Sequence, residues 1–117
     1  MRVKDAVGQF GEQVAAQHLE RAGLRILDRN WRCPEGEIDL VAAEGATLVV
    51  CEVKTRSGAA FGDPAEAVGP AKVQRLRRLA LRWMAAHEVG WGDLRFDVVA
   101  VVRREGEVVV RHLRGAF

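Results

Sequence analysis

The chain has 117 residues, 49% of them hydrophobic and 29% charged, a balance that suits a single soluble domain around one hydrophobic core. Its net charge is only +2, so bulk charge gives little argument for nucleic acid, and two cysteines, Cys33 and Cys51, are too few for a disulfide scaffold and lack metal-ligand spacing. No apolar run approaches a membrane span and MRVKDAVGQF has no signal-peptide core, so a cytoplasmic protein without membrane contact is expected.

The first helix is expected over about Lys4 to Ala22, where Val7, Phe10, Val14, Ala15 and Leu19 follow helical spacing and Gly23 is a natural stop. LRILDRNW alternates from Leu24 to Trp31 and reads as a strand. EIDLVA and TLVVCEVK are the second and third strands, with a turn at Glu44-Gly45. The stretch from Ser57 to Pro70 is rich in Gly, Ala and Pro and reads as a loop. A second helix begins near Pro70 and ends before Gly90, with Val73, Leu76, Ala80, Trp83 and Met84 as its apolar stripe. LRFDVVAVV and EVVVRHL are two further strands joined at Glu105-Gly106. The order is α-β-β-β-α-β-β, an α/β fold. Its first three strands form an antiparallel meander, and the helical crossover favours a parallel, right-handed connection to the fourth.

Charges interrupt this apolar pattern. Asp39 lies in the second strand, and Glu52 and Lys54 share one side of the third. A hairpin turning about Gly45-Ala46 sets Asp39 opposite Glu52 and Glu37 opposite Lys54, provided the register holds. Two facing carboxylates repel and need an offset, either a shared proton that raises one pKa or a divalent cation with hard oxygen ligands. The plainer reading is a structural cross-strand pair of Glu37 with Lys54 and a half-exposed Asp39. Glu12 in GQFGEQVAAQHL has Gly8 and Ala15 along its helix edge, which lets a backbone or ligand approach; spacing alone favours an ordinary solvated glutamate.

Taken together, Glu12 on the first helix, GEIDL and EVKTR resemble the PD-(D/E)xK nuclease superfamily in the arrangement of archaeal Holliday-junction resolvases. More narrowly, GQFGE, NWR, GEIDL, EVKTR, FGDPAEAV, Lys72 and RFDVV, between Gly8 and Val99, resemble the YraN-like family of uncharacterised bacterial proteins. The resemblance implies a restriction-endonuclease-like α/β/α sandwich with a central mixed sheet. It implies Asp39, Glu52 and the backbone carbonyl of Val53 as ligands of Mg²⁺ or Mn²⁺, Lys54 as the motif lysine and Glu12 as the helix-borne acid. Ile38 stands where the superfamily often has proline, which removes no chemical group. The implied activity is metal-dependent cleavage of branched or structured DNA; the alternative is a noncatalytic nucleic-acid-binding or adaptor domain that keeps the fold.

KVQRLRRLALR, from Lys72 to Arg82, holds five of the eighteen Lys and Arg residues. Arg75, Arg78 and Arg82 recur at helical spacing, and with Lys72 and Arg56 they are candidate phosphate contacts; a solvated helix face is the plainer reading. The loop around Phe61 fits either a DNA-backbone contact or an ordinary crossover. Asp97 falls on an expected buried strand and needs a partner, for which Arg95 on the same face is suited, so a structural role is expected. His18, His87 and His112 are scattered and read as surface or packing residues. Symmetric action on two strands of a junction suits a homodimer, with EVVVRHLRGAF either its interface or the finish of the sheet.

Overall fold

The computed structural model describes residues 3–57 and 69–117. Its elements are α1 (Val3–Arg21), β1 (Arg25–Cys33), β2 (Gly36–Glu44), β3 (Thr47–Ser57), α2 (Pro70–Ala86), β4 (Asp93–Arg104) and β5 (Glu107–Leu113), in the expected α-β-β-β-α-β-β order. The five strands form one mixed sheet in the order β1-β2-β3-β4-β5. β1 to β3 are an antiparallel meander, β3 and β4 pair parallel, and β4 and β5 are antiparallel. The FGDPAEAV segment, with Phe61 and the proposed DNA-contacting loop, lies outside the described residues.

Strand alternation creates two cores. On one face Val49, Cys51, Val99 and Val101 pack with Ala15, Ala16 and Leu19 of α1. On the other, Leu48, Val50 and Phe96 pack with Leu76, Leu79, Ala80 and Trp83 of α2. Adjacent residues of β3 therefore belong to opposite cores, which makes the molecule an α/β/α sandwich. The buried stripe of α2 includes Leu79, which the sequence stripe omitted, while Val73 is only half-buried.

Helix α1 differs more from expectation. Phe10 is 36% exposed, and the Arg103 guanidinium stands 5.1 Å from its ring centroid. The face turned to the sheet is lined by small residues instead, Gly11, Ala15 and Ala16. A Cβ at Gly11 would overlap the Thr55 hydroxyl, so glycine there is what lets α1 approach β3. The helix ends as the sequence suggests. Gly23 takes φ 97°, its N–H donates to the Glu20 carbonyl, and the Leu24 N–H donates to the Leu19 carbonyl at 3.0 Å, a Schellman stop.

Other polar contacts fix the layers. The Trp83 Nε1–H donates to Asp28 at 2.9 Å, tying the last turns of α2 to β1, and the His87 ring stacks on Trp83 at 4.2 Å. Asp97 is fully buried. Arg95 donates to both its oxygens at 2.8 and 2.9 Å, His112 Nε2 lies 2.7 Å away and the Gly115 N–H donates at 2.9 Å. Burial opposes charge on Asp97, but these bonds outweigh it and bring the carboxyl down to about 2. The Arg95 partnership is the one expected; His112, read as a scattered residue, belongs to the same network.

Candidate active site

The β2–β3 hairpin pairs Glu44 with Thr47 and continues in register to Leu40 with Cys51. That is the expected register, and it would bring Asp39 opposite Glu52. The ladder stops one step short of them. In its place the Asp39 carboxylate accepts the Val53 N–H at 2.8 Å. A side chain has substituted for the neighbouring strand, and β2 and β3 part at this point. In a strand the N–H and C=O of one residue point toward the same edge. The Val53 carbonyl therefore faces the gap that Asp39 enters, the direction its assigned ligand role requires.

The local sequence explains the parting. Ile38 and Leu40 share strand parity, yet Ile38 packs in the α2 core and Leu40 in the α1 core. Across the sheet Asn30 adopts φ 51°. Regular pleating is interrupted on both strands around Asp39, which frees its carboxylate from a flat sheet surface.

Glu52 and Lys54 continue the parity of Leu48 and Val50, on the α2 face. Lys54 Nζ lies 3.3 Å from Glu52 Oε1, and Lys72 Nζ from α2 lies 2.5 Å from the same oxygen. Lys72 is thus the principal counter-ion of Glu52. Gly36, Glu37, Asp39, Glu52, Lys72, Arg75 and Leu76 line a cleft of about 310 Å³ between the sheet and the start of α2. The plain cross-strand pair of Glu37 with Lys54 is not formed: Glu37 accepts from Arg32 Nε of β1 at 2.7 Å.

Glu12 reaches the site from α1. Burial raises its pKa, opposed by a hydrogen bond from the Asn30 side chain and reinforced by Glu37. Its Oε2 is buried with no hydrogen-bond partner among the described residues, a condition that costs roughly 1–3 kcal/mol or more unless a ligand relieves it. It is therefore not the ordinary solvated glutamate of the plainer reading. Asp39 is pushed up to about 7 by burial and by Glu52, with Glu12 and Glu37 adding to the repulsion and the Val53 N–H opposing it. Lys54 is depressed by burial and by Lys72 beside it. Burial opposes charge on Lys72, but its contacts with Glu52 and Lys54 and the nearby Asp39 together outweigh it and raise its pKa.

Four of the sequence candidates, Glu12, Asp39, Glu52 and Lys54, thus converge, joined by Lys72 and by Arg75 at the cleft wall. The other basic candidates do not enter the cleft. Arg78 and Arg82 pair with Glu35 in the β1–β2 turn and are more than half exposed. Arg56 is exposed and donates to the carbonyl of Thr55. Sequence reasoning missed Asn30 and Arg32, which hold Glu12 and Glu37; polar residues on an alternating strand carried no signal for either role.

The donor set suits a hard cation. Among the described residues no group of three or more His, Cys, Asp or Glu side chains is placed to hold a metal ion together, so any cation site rests on two carboxylates and backbone. Two carboxylates and a strand carbonyl suit a magnesium ion that keeps several waters. Fit therefore holds for Asp39, Glu52 and the Val53 carbonyl, with Lys72 as the group a cation would displace from Glu52.

The sequence profile of the uncharacterised protein family UPF0102 matches residues 11–101. A UPF0102 protein of Frankia alni is 61% identical over 118 residues, covering 100% of this chain and 98% of the relative. One from Beutenbergia cavernae is 59% identical over 116 residues, covering 98% of each, and one from Acidothermus cellulolyticus is 50% identical over 125 residues, covering 97% and 95%. These names describe no reaction.

Proposed function

For a chain that belongs to the uncharacterised protein family UPF0102, we propose metal-dependent hydrolysis of DNA phosphodiesters, on branched or otherwise structured DNA such as junctions. The observation that carries this reading is the parting of β2 and β3 at Asp39. It gathers Glu12, Asp39, Glu52 and Lys54 from α1 and the sheet beside a cleft opening toward α2.

Asp39, Glu52 and the Val53 carbonyl would hold Mg²⁺ or Mn²⁺, and the bound cation would supply positive charge against the phosphate oxygens and a more acidic water. The remaining chemistry belongs to the chain. Lys54, depressed by burial, is suited to orient the attacking water and to accept or return its proton. The buried Glu12 oxygen without a partner would accept a hydrogen bond from a water admitted on the α1 side. Lys72 and Arg75 on the cleft wall meet phosphate oxygens, and Arg78, Arg82 and Arg56 extend the basic surface for neighbouring phosphates. Contacts of this kind hold the backbone without reading bases, so recognition through DNA shape accords with them.

A second reading has its own observation. Lys72 already neutralises Glu52 at 2.5 Å, the arrangement expected of a noncatalytic adaptor that keeps the fold and binds DNA. The two readings separate in a cleavage and binding assay on labelled four-way junction, flap, single-stranded and duplex DNA with Mg²⁺ or Mn²⁺. The hydrolase reading expects metal-dependent cutting that is lost in Asp39→Ala and Lys54→Ala while both variants stay folded. Salt-sensitive binding without cutting, unchanged by loss of the carboxylates, selects the adaptor. Neither binding nor cutting overturns both.

A further inference from the structure

We propose that β5 is a self-association edge, through which two copies of this chain join antiparallel about a twofold axis at Val109. The inference does not depend on the reaction assigned to the cleft.

The sheet ends at β1 and β5, and the two edges are built differently. β1 carries the devices that discourage strand addition: its register shifts between Ile26 and Asp28, Asn30 takes φ 51°, and Arg25, Asp28, Arg29 and Arg32 crowd its length. β5 has no such irregularity. Its register with β4 runs unbroken from Glu107 with Arg104 to Leu113 with Val98, and Val108 and Val109 are 45% and 42% exposed. The regular ladder ends at Leu113; Gly115 takes φ 58°, and the Ala116 N–H donates to the Phe96 carbonyl of β4 at 2.8 Å while Phe117 stacks on Phe96.

Hairpin geometry fixes which backbone groups are free. Glu105 and Gly106 both take positive φ, 52° and 77°, as a two-residue type I′ turn requires, so Arg104 and Glu107 form the hydrogen-bonded pair beside it. By alternation Glu107, Val109 and Arg111 spend their N–H and C=O on β4, whereas Val108, Val110 and His112 direct theirs outward. Antiparallel addition centred on Val109 brings Val108 against Val110 of the second copy, free groups to free groups, twice. The same register sets Glu107 opposite Arg111 of the second copy, again twice, and Val109 opposite itself. Centring on Val108 would set Glu107 against a valine, and centring on Val110 would set it against Leu113. One register alone matches backbone and charge together.

A single strand edge is small for an interface, so association at roughly micromolar concentrations is expected rather than an obligate dimer. The test uses the full chain with Cys33→Ser; Cys51 is buried. Facing Cβ atoms in a non-hydrogen-bonded antiparallel pair lie about 4.5–5.5 Å apart, so mild oxidation of Val109→Cys should give a covalent dimer. Val108→Cys, which faces valine, should give far less. In sedimentation, Glu107→Arg and Arg111→Glu should each weaken association about tenfold or more, and the double exchange should restore it. Wild-type protein that stays monomeric at about 100 µM overturns the proposal. So do charge variants without effect, an exchange that fails to restore association, or equal cross-linking from both cysteine positions.

Discussion

Replacing Asp39 by Asn should make the protein more stable, by an amount that depends on pH. Burial and the neighbouring Glu52 carry this carboxyl from 3.8 up to about 7. Below about pH 4 it is protonated in both folded and unfolded chains and carries no penalty. As pH rises from there toward 7, the unfolded chain releases the proton and the folded chain keeps it. Stability therefore falls with rising pH, and the penalty is constant above that window. A displacement of about three pH units at about 1.4 kcal/mol each sets an upper bound near 4 kcal/mol. Movement of the carboxylates or entry of water lowers the observed figure. Asparagine retains an acceptor for the Val53 N–H, now 2.8 Å from Asp39, and brings no charge. Urea unfolding of both proteins should give Asp39→Asn an advantage of about 1–4 kcal/mol near pH 8 that closes near pH 4. Millimolar Mg²⁺ should then stabilise wild type at pH 8 and leave the variant unmoved, since a ligand of the folded state alone stabilises by mass action. An advantage of equal size at both pH values would refute the reasoning, as would a variant less stable than wild type near pH 8.

Two other outcomes are expected. Asp97→Asn removes the buried anion that Arg95 and His112 share and leaves Arg95 with Glu44, 2.7 Å away, as its remaining carboxylate, so it should cost about 1–3 kcal/mol in urea unfolding near pH 7. Asp97 sits at about 2 when folded against 3.8 otherwise, so its stabilisation is present above about pH 4 and lost as pH falls toward 2; the variant should lack that acid dependence. Lys72→Ala removes the ammonium 2.5 Å from Glu52 and should tighten Mn²⁺ binding roughly fivefold to tenfold by calorimetry, about 1 kcal/mol. Unchanged or weaker binding would remove Lys72 as the competitor of a cation.

Much of the fold was legible because its signals are local. Two-residue turns at Gly45-Ala46 and Glu105-Gly106 fix hairpin register by counting, and the helix between β3 and β4 made their pairing parallel. The register of 40 with 51 follows from the turn alone and brought Asp39 and Glu52 to the same place. Where the reading failed, the cause was an interrupted period. Alternation makes Ile38 and Leu40 share a face, and they do not. Helical spacing enlisted Phe10 as core, whereas the approach of α1 to β3 at Gly11 selected small residues and left that ring toward Arg103.

The sequence by itself determined the order of elements, the mixed pairing of the sheet and the identity of the charged residues near its centre, because turns, caps and strand alternation act over a few residues. Only the tertiary structure decided which charges meet. Lys72 reaches Glu52 across twenty residues, Glu12 arrives from the opposite layer, and Arg32, not Lys54, takes Glu37. Side chains far apart in the chain interact only where packed layers bring them within a few ångströms. No local pattern encodes that distance.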